Sequence, residues 1–286
     1  LKTFQAYGFT RGPEVWRIMA DWLGGRIAAT RSERARELLT RLAPRIIEAC
    51  GETDAPDTAF FSFADFATKL RAGVTLFSLF LNQPSALTSL IEMLGMVPRL
   101  GHELAARPAL IDALTDPTFF TTPMLTPPDN YAVHITQDDD FEMAMNIVRR
   151  AVHEDQFMFT ARFLKRHNAD RAGEILSDIA DASVIALLPI AAREVGDILG
   201  EYAIIGMGKL GGREISLRSD LDVMLVYQEK NAQGDAHDKR PYNKLTRRFI
   251  TALSSVTAEG TLYEVDMALR PSGRAGPLAV SLSAFE

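Results

Sequence analysis

Cysteine is nearly absent from this sequence, because Cys50 is the only one in 286 residues. A single thiol cannot form a disulfide within the chain, and this pattern favours a reducing compartment such as the cytoplasm. Cys50 falls at the end of a predicted helix with no neighbouring base. We therefore expect a buried thiol and not a cysteine nucleophile.

An excess of positive charge is also absent. The 31 lysine and arginine residues are outnumbered by 37 aspartate and glutamate residues, which gives a net charge of −6. This balance argues against nucleic acid as a partner, since binding by bulk electrostatic attraction needs a basic protein. Metal sites built from histidine are not indicated either, because none of the histidines shows the spacing of metal ligands. They are His102, His134, His153, His167 and His237.

Long apolar runs are missing as well. The longest, residues 73–81, is much shorter than the roughly 18 residues needed to span a bilayer, so we predict no membrane segment. The sequence begins with Leu1 instead of methionine and stops at Glu286 without a natural tail. We expect a fragment of a longer protein, whose targeting signals at the true terminus are not visible in this sequence.

Hydrophobic residues account for 47% of the chain, enough for a sizeable core in one large or two medium domains. Residues 1–120 show mainly helical periodicity, and residues 116–137, rich in proline and threonine, form a connector. Residues 137–286 mix helical and strand patterns. The predicted fold class is therefore α+β, with an all-helical region over 1–120 before a domain with a small mixed sheet over 137–286.

In the second domain the hydrophobic period changes from helical to alternating. Helices are predicted from about Asp138, over 172–195 and over 242–256, and strands over 202–205 and 221–227. A last strand is predicted over 262–270. Its apolar side chains alternate with polar or small ones, so that Tyr263, Val265, Met267 and Leu269 face one way and Glu264, Asp266, Ala268 and Arg270 face the other.

Two aspartates at the start of strand 221–227 carry the candidate chemistry. Side chains alternate along a strand, so Asp220 and Asp222 point the same way from one edge of the sheet. Adjacent carboxylates repel each other, and divalent cations relieve this repulsion while they hold nucleotide phosphates. Asp266 on the last strand is a third candidate ligand. Three carboxylates on adjacent strands match the needs of a two-metal nucleotidyl transfer.

A glycine-rich segment, residues 206–212, lies directly upstream of these aspartates. Glycines there let the backbone approach phosphate groups closely. Lys209 is either a phosphate partner or a solvated loop charge. Arg270 and Arg274 lie in a second loop, after Asp266, and either neutralise phosphate or face solvent in a turn.

Structural alternatives exist for the aspartates too. Ser219 and Asp220 are typical of a turn at a strand start, with local hydrogen bonds to the backbone. Asp266 in this interpretation is an exposed strand acid paired with Arg270.

The segment 206–211 also fits the G-x-G-x-x-G pattern of dinucleotide-binding folds, and Glu229 lies at about the distance of a ribose-binding acid. That fold requires a helical crossover between the glycines and the next strand. Only residues 212–219 are available, which is too short for a right-handed crossover, and they show no amphipathic stripe. A Walker-type phosphate loop is excluded by the spacing and by the lack of Ser or Thr after Lys209.

Three blocks of the sequence are distinctive: Gly206-Met207-Gly208-Lys209-Leu210-Gly211-Gly212-Arg213-Glu214, Ser219-Asp220-Leu221-Asp222, and Tyr263-Glu264-Val265-Asp266-Met267 with Leu269-Arg270-Pro271-Ser272-Gly273. They closely resemble the bifunctional bacterial glutamine synthetase adenylyltransferase/adenylyl-removing enzymes, also called glutamate-ammonia-ligase adenylyltransferases. An upstream segment, residues 25–39, looks like the helical connector of this family, so the resemblance covers nearly the whole chain.

The resemblance implies a nucleotidyltransferase domain of the DNA polymerase β kind in a cytoplasmic bacterial enzyme. The family has two such domains: the N-terminal half removes AMP by phosphorolysis, and the C-terminal half transfers AMP from ATP to a tyrosine hydroxyl of glutamine synthetase. The connector segment and the sequence around Asp266 favour the adenylylating half. The deadenylylating half and a non-catalytic docking module are the alternatives. The PII signal protein is the expected regulator, although the last helical segment of the family, which helps to sense it, is not part of this sequence.

The resemblance also assigns roles to residues. It implies two Mg²⁺ ions held by Asp220, Asp222 and Asp266, and it makes Asp266 the candidate to help deprotonate the tyrosine. The implied nucleotide-binding residues are Gly208, Lys209, Gly211, Gly212, Ser219 and Arg270. The family usually has arginine where this chain has Ala268. If that arginine binds phosphate, this chain binds it more weakly or uses Arg270 alone.

Overall fold

The computed structural model describes residues 2–97, 100–101, 104, 110, 131–166, 171–217, 219–229, 238–269, 271 and 276–286. The chain forms two compact units. The first comprises Leu1–Met124 with Thr160–His167, and the second comprises Leu125–Phe159 with Asn168–Glu286.

The described part of the first unit is helical. Trp22 stacks on Phe60 with ring centroids 5.8 Å apart, and both rings are buried. Cys50 is buried as expected, and burial raises the pKa of its thiol to about 12. The helices are α1 (Lys2–Ala6), α2 (Gly12–Leu23), α3 (Glu33–Gly51), α4 (Pro56–Lys69), α5 (Val74–Asn82) and α6 (Pro84–Met96), with a 3₁₀ turn at Ala28–Thr30.

The second unit combines helices with a four-stranded mixed sheet. Its helices are α7 (Phe141–Arg166, whose last turns belong to the first unit), α8 (Ala172–Arg193), α9 (Gly208–Gly211), α10 (Arg240–Ser254) and α11 (Leu282–Phe285), with a 3₁₀ turn at Tyr131–His134. The strands are β1 (Tyr202–Gly206), β2 (Leu221–Tyr227), β3 (Val265–Asp266) and β4 (Ala279–Ser281). The predicted α+β class and small mixed sheet are confirmed.

Strand β2 is the centre of the sheet. It pairs antiparallel with β1, and it pairs parallel with both β3 and β4. β3 lies beside the first residues of β2, whereas β4 lies beside its last three. The apolar residues of β2 are buried, as the continuous hydrophobic pattern of this strand predicts.

Helix α10 runs across this sheet and links its two ends. Tyr242 near its start stacks on Tyr227 at the end of β2, with centroids 4.2 Å apart. At its end, the Leu253 carbonyl accepts hydrogen bonds from the backbone of Leu262 and Tyr263, at 3.2 and 3.1 Å. The chain that enters β3 is therefore held at the same end of the sheet as the start of β2.

A buried arginine holds the end of α10. Arg149 is fully buried and donates from its guanidinium to the Ala252 carbonyl at 2.8 Å and the Gly260 carbonyl at 3.0 Å. It also donates to the hydroxyls of Thr257 and Ser255, at 2.6 and 3.2 Å. Carbonyls at a helix end have no intrahelical donor, so this arginine replaces water there.

The antiparallel pairing of β1 with β2 excludes the dinucleotide-binding interpretation, which requires parallel strands joined by a crossover helix. The predicted strand over 262–270 is wrong in its extent, since within its described residues, 262–269, the strand comprises Val265–Asp266 alone. The Asp266 carboxylate accepts a hydrogen bond from the Ala268 backbone at 2.7 Å, and this bond turns the chain out of the sheet. Leu269, predicted to share a face with Tyr263 and Met267, is 51% exposed, whereas those two are buried. The predicted bounds of the two domains, 1–120 and 137–286, stay a prediction.

By length and composition, α8 could cross a membrane, although 61% of its most apolar window is buried inside the structure. Helices α5 and α6 pass the same test only together, with a bend of 110° between them. Buried core helices commonly pass such a test, so these segments are weak evidence for a membrane span.

Candidate metal and nucleotide site

The three predicted carboxylates meet at one edge of the sheet. The parallel register of β2 and β3 places Asp222 directly beside Asp266, and Asp220 precedes β2 by one residue. One carboxylate oxygen from each residue lies within 4.8 Å of the others. Asp220 is exposed, whereas Asp222 and Asp266 are partly buried, so the cluster is open to solvent on one side.

The electrostatics of this cluster favour a cation. Burial raises the pKa of Asp222, and the neighbouring charges of Asp220 and Asp266 raise it further. The Lys209 ammonium partly offsets these effects. An oxygen-only donor set of this kind suits hard cations such as Mg²⁺, which prefer carboxylates and keep part of their water shell. The residues present therefore fit a divalent metal site.

The glycine-rich turn is fixed against this cluster. The Met207 backbone donates to the Asp222 carbonyl at 2.8 Å. Gly208 follows with a φ of +50°, and a Cβ added there would lie 2.1 Å from the Asp222 carboxylate oxygen Oδ2. Only glycine meets both conditions, the left-handed backbone and the close approach.

The remaining glycines keep the turn compact. A Cβ at Gly211 would lie 2.8 Å from the Gly206 carbonyl oxygen, and one at Gly212 would lie 3.1 Å from the Glu214 carboxylate. The Glu214 backbone donates to the Lys209 carbonyl at 2.8 Å, which closes the turn. Because α9 begins at Gly208, its first N–H groups have no partner within the helix and can donate to phosphate.

Ser219 is buried and its hydroxyl accepts a hydrogen bond from the Ser216 backbone at 3.0 Å. It also shares a hydrogen bond with the Ser216 hydroxyl at 3.0 Å. Such local bonds are those expected if the residues before Asp220 form a turn at the start of the strand. A contact between Ser219 and nucleotide stays a prediction.

Arg270 and Arg274, for which phosphate binding was one interpretation, lie outside the described residues.

One feature at this site was missed from the sequence. Arg213, which the motif contains but to which no role was given, forms ion pairs with Asp178 and Asp181 on α8. The sequence does show that Asp178 and Asp181 share one face of a predicted helix, which is a typical site for an arginine partner. It does not show which arginine pairs with them, because Arg213 is more than 30 residues away.

A family model described as glutamate-ammonia ligase adenylyltransferase matches residues 87–286. The chain is also similar to proteins described as bifunctional glutamine synthetase adenylyltransferase/adenylyl-removing enzymes. It is 42% identical over 296 residues to that of Caulobacter vibrioides, 35% over 303 residues to that of Agrobacterium fabrum and 36% over 302 residues to that of Brucella melitensis. Each alignment covers 100% of this chain but 30% of the relative, so the chain spans about 30% of the length of these curated relatives.

Proposed function

We propose that this chain, which belongs to the glutamate-ammonia ligase adenylyltransferase family, transfers AMP from ATP to a tyrosine hydroxyl of glutamine synthetase. The observation that carries the proposal is the cluster of Asp220, Asp222 and Asp266 beside a turn that only glycine can form. The names of the relatives supply the substrate, since they are glutamine synthetase adenylyltransferases.

In the proposed reaction, the tyrosine oxygen attacks the α-phosphorus of ATP in line with the leaving group. The new bond joins that oxygen to phosphorus, the bond from the α-phosphorus to the bridging oxygen breaks, and pyrophosphate leaves. Asp266 accepts the tyrosine proton. The protein contributes mainly by positioning and charge neutralisation.

Each part of the site has a task in this scheme. Asp220, Asp222 and Asp266 would hold two Mg²⁺ ions, which neutralise phosphate charge and lower the pKa of the attacking hydroxyl. The backbone N–H groups at the start of the turn, over 208–210, bind the phosphate oxygens, since those of Gly211 and Gly212 donate to the carbonyls of Met207 and Gly208 at 2.9 Å. Lys209, whose charge acts on Asp222, adds a further positive charge for the triphosphate.

The deadenylylating reaction is a second candidate, because the relatives are named for both activities. In it, a phosphate oxygen attacks the AMP phosphorus and the tyrosine oxygen leaves, with ADP as the product. The same carboxylates and turn would serve this displacement. AMP transfer remains the first candidate, because residues 25–39 resemble the connector and the sequence around Asp266 resembles the adenylylating half. We further propose a cytoplasmic location and regulation by the PII signal protein.

The experiment uses α-labelled ATP, purified glutamine synthetase and Mg²⁺, with and without EDTA. We expect label on glutamine synthetase, loss of labelling with EDTA, and loss of labelling in Asp222→Asn. Asp238→Asn is the matched control, because Asp238 is an exposed acid of the same unit whose partner is Arg240.

Equal labelling by wild type and Asp222→Asn would contradict the proposed role of Asp222 as a metal ligand. Release of ADP from AMP-modified glutamine synthetase and phosphate would favour the second candidate. Binding of glutamine synthetase with neither activity would favour a docking module.

A further inference from the structure

The backbone just after the glycine-rich turn is in an unfavourable conformation for its residue. Arg213 has a φ of 58°, and among the described residues it is the one non-glycine with a positive φ. This left-handed region is disfavoured for side chains that have a Cβ. Gly211 and Gly212 directly precede it, so the turn places an arginine where glycine would be less strained. An interaction of the side chain has to offset this strain.

The Arg213 side chain reaches α8 and binds it through several contacts. Its Nη2 donates to the Asp178 carboxylate and lies 3.4 Å from the Glu174 carbonyl oxygen. Its Nη1 lies 3.6 Å from the Asp181 carboxylate. Asp178 and Asp181 are three residues apart, so their side chains emerge from the same face of the helix.

The backbone at this point also packs directly on α8. A Cβ added to Gly173 would lie 2.8 Å from the Arg213 carbonyl oxygen and 3.0 Å from the Glu214 Cα. The first turn of α8 therefore needs glycine at this position for so close a contact. Together with the ion pairs, this packing fixes the downstream end of the turn to a long helix.

The upstream end of the turn is fixed at Gly208, which lies against Asp222. The turn over 208–212 is thus held between a carboxylate of the metal cluster and the Arg213 contacts. We propose that Arg213 is a positioning residue, whose ion pairs with Asp178 and Asp181 hold this turn in place to bind the phosphates of a nucleoside triphosphate. The inference rests on the proposed function, since it takes ATP as the ligand of the turn.

The expected effects separate positioning from overall stability. Arg213, Asp178 and Asp181 are each about half exposed, and exposed ion pairs contribute little to the stability of a fold. A small displacement of a phosphate-binding turn, in contrast, strongly weakens binding and catalysis. Loss of these contacts should therefore raise the Kd for ATP markedly, while the melting temperature stays close to that of wild type.

The test uses Arg213→Asn, because asparagine tolerates the left-handed backbone and removes only the charged side chain. The double variant Asp178→Asn/Asp181→Asn removes the partners and leaves the turn sequence intact. Arg150→Asn is the matched control, since Arg150 is an exposed arginine that pairs with Glu259 at 2.8 Å in the same unit. Titration calorimetry with Mg²⁺ and a non-hydrolysable ATP analogue measures Kd, and labelling of glutamine synthetase gives KM and kcat. Hydrogen exchange of the amides over 208–212 is measured without nucleotide.

We expect Kd and KM for the nucleotide to rise about tenfold in Arg213→Asn and in the double aspartate variant, with kcat changed much less. Exchange over 208–212 should become faster in both, and Arg150→Asn should match wild type. Combining Arg213→Asn with the two aspartate substitutions should add no further loss, because all of them remove one interaction.

Two results would overturn the inference: unchanged exchange and Kd in Arg213→Asn, or faster exchange throughout the second unit with a matching fall in melting temperature. If wild-type protein does not bind the ATP analogue, the proposed function fails. The exchange rates then still decide whether Arg213 holds the turn.

Discussion

Gly208→Ala is the sharpest single test of the site, because it adds one methyl group at the contact between turn and cluster. That carbon would lie 2.1 Å from Asp222 Oδ2, whereas real contacts of this kind are not shorter than 3.0 Å. The two groups therefore have to separate by about 0.9 Å. Since the nearest atom is the end of a side chain, the Asp222 carboxylate can rotate away and the fold survives.

The magnitude follows from these two effects. Placing alanine at a φ of +50° destabilises the protein by about 1–2 kcal/mol. Moving a metal ligand by nearly 1 Å is expected to reduce the rate of AMP transfer by about 100-fold. A 100-fold slower rate corresponds to a barrier higher by about 2.7 kcal/mol, whereas a loss of about 1–2 kcal/mol in stability leaves the protein folded.

Gly196→Ala supplies the matched control. Gly196 also has a positive φ, +88°, but an added Cβ there meets nothing within 4 Å. Urea unfolding should show similar destabilisation for both variants, and labelling of glutamine synthetase should fall only for Gly208→Ala. Near wild-type labelling by Gly208→Ala at saturating Mg²⁺ would refute the reasoning that links this turn to Asp222.

Three further predictions follow from the same structure. Arg149→Met should lower the free energy of unfolding by about 3 kcal/mol, because it removes the donors to the carbonyls of Ala252 and Gly260. Arg150→Met, at an exposed arginine, should change this free energy little. Urea unfolding of both variants checks the prediction. The pKa of Asp222 is raised in the folded state, so its ionisation destabilises the metal-free protein as pH rises above the ordinary carboxyl range. Asp222→Asn should therefore be the more stable protein at neutral pH, with a difference that shrinks as acid protonates the wild-type carboxyl, and equal pH profiles of unfolding would contradict this. Mg²⁺ should raise the melting temperature of wild type in an EDTA-reversible way and should do so much less in Asp222→Asn.

The sequence predicted the centre of the second unit well. Strand β2 was predicted at the residues where it is found, because its apolar run is bounded by clear polar signals. Asp220, Asp222 and Asp266 were predicted to meet, and they do. In each case a local pattern, alternation along a strand, fixes the direction of the side chains.

The misses arise where contacts distant in sequence decide the structure. The last strand ends at Asp266 because a carboxylate accepts a backbone N–H two residues further on, which alternation does not reveal. Strand β4 was not predicted, since three residues are too few for a pattern and its pairing with β2 defines it. The Arg213 contacts join a turn to a helix more than 30 residues earlier in the chain. No local periodicity encodes such a pair.

The central claim is that these three aspartates hold divalent cations beneath ATP, and anomalous diffraction tests it most directly. Crystals of the protein with Mn²⁺ and a non-hydrolysable ATP analogue should show manganese peaks bound by Asp220, Asp222 and Asp266, with the phosphates against the turn over 208–212. Manganese and nucleotide bound elsewhere, with the three carboxylates free of metal, would contradict the account.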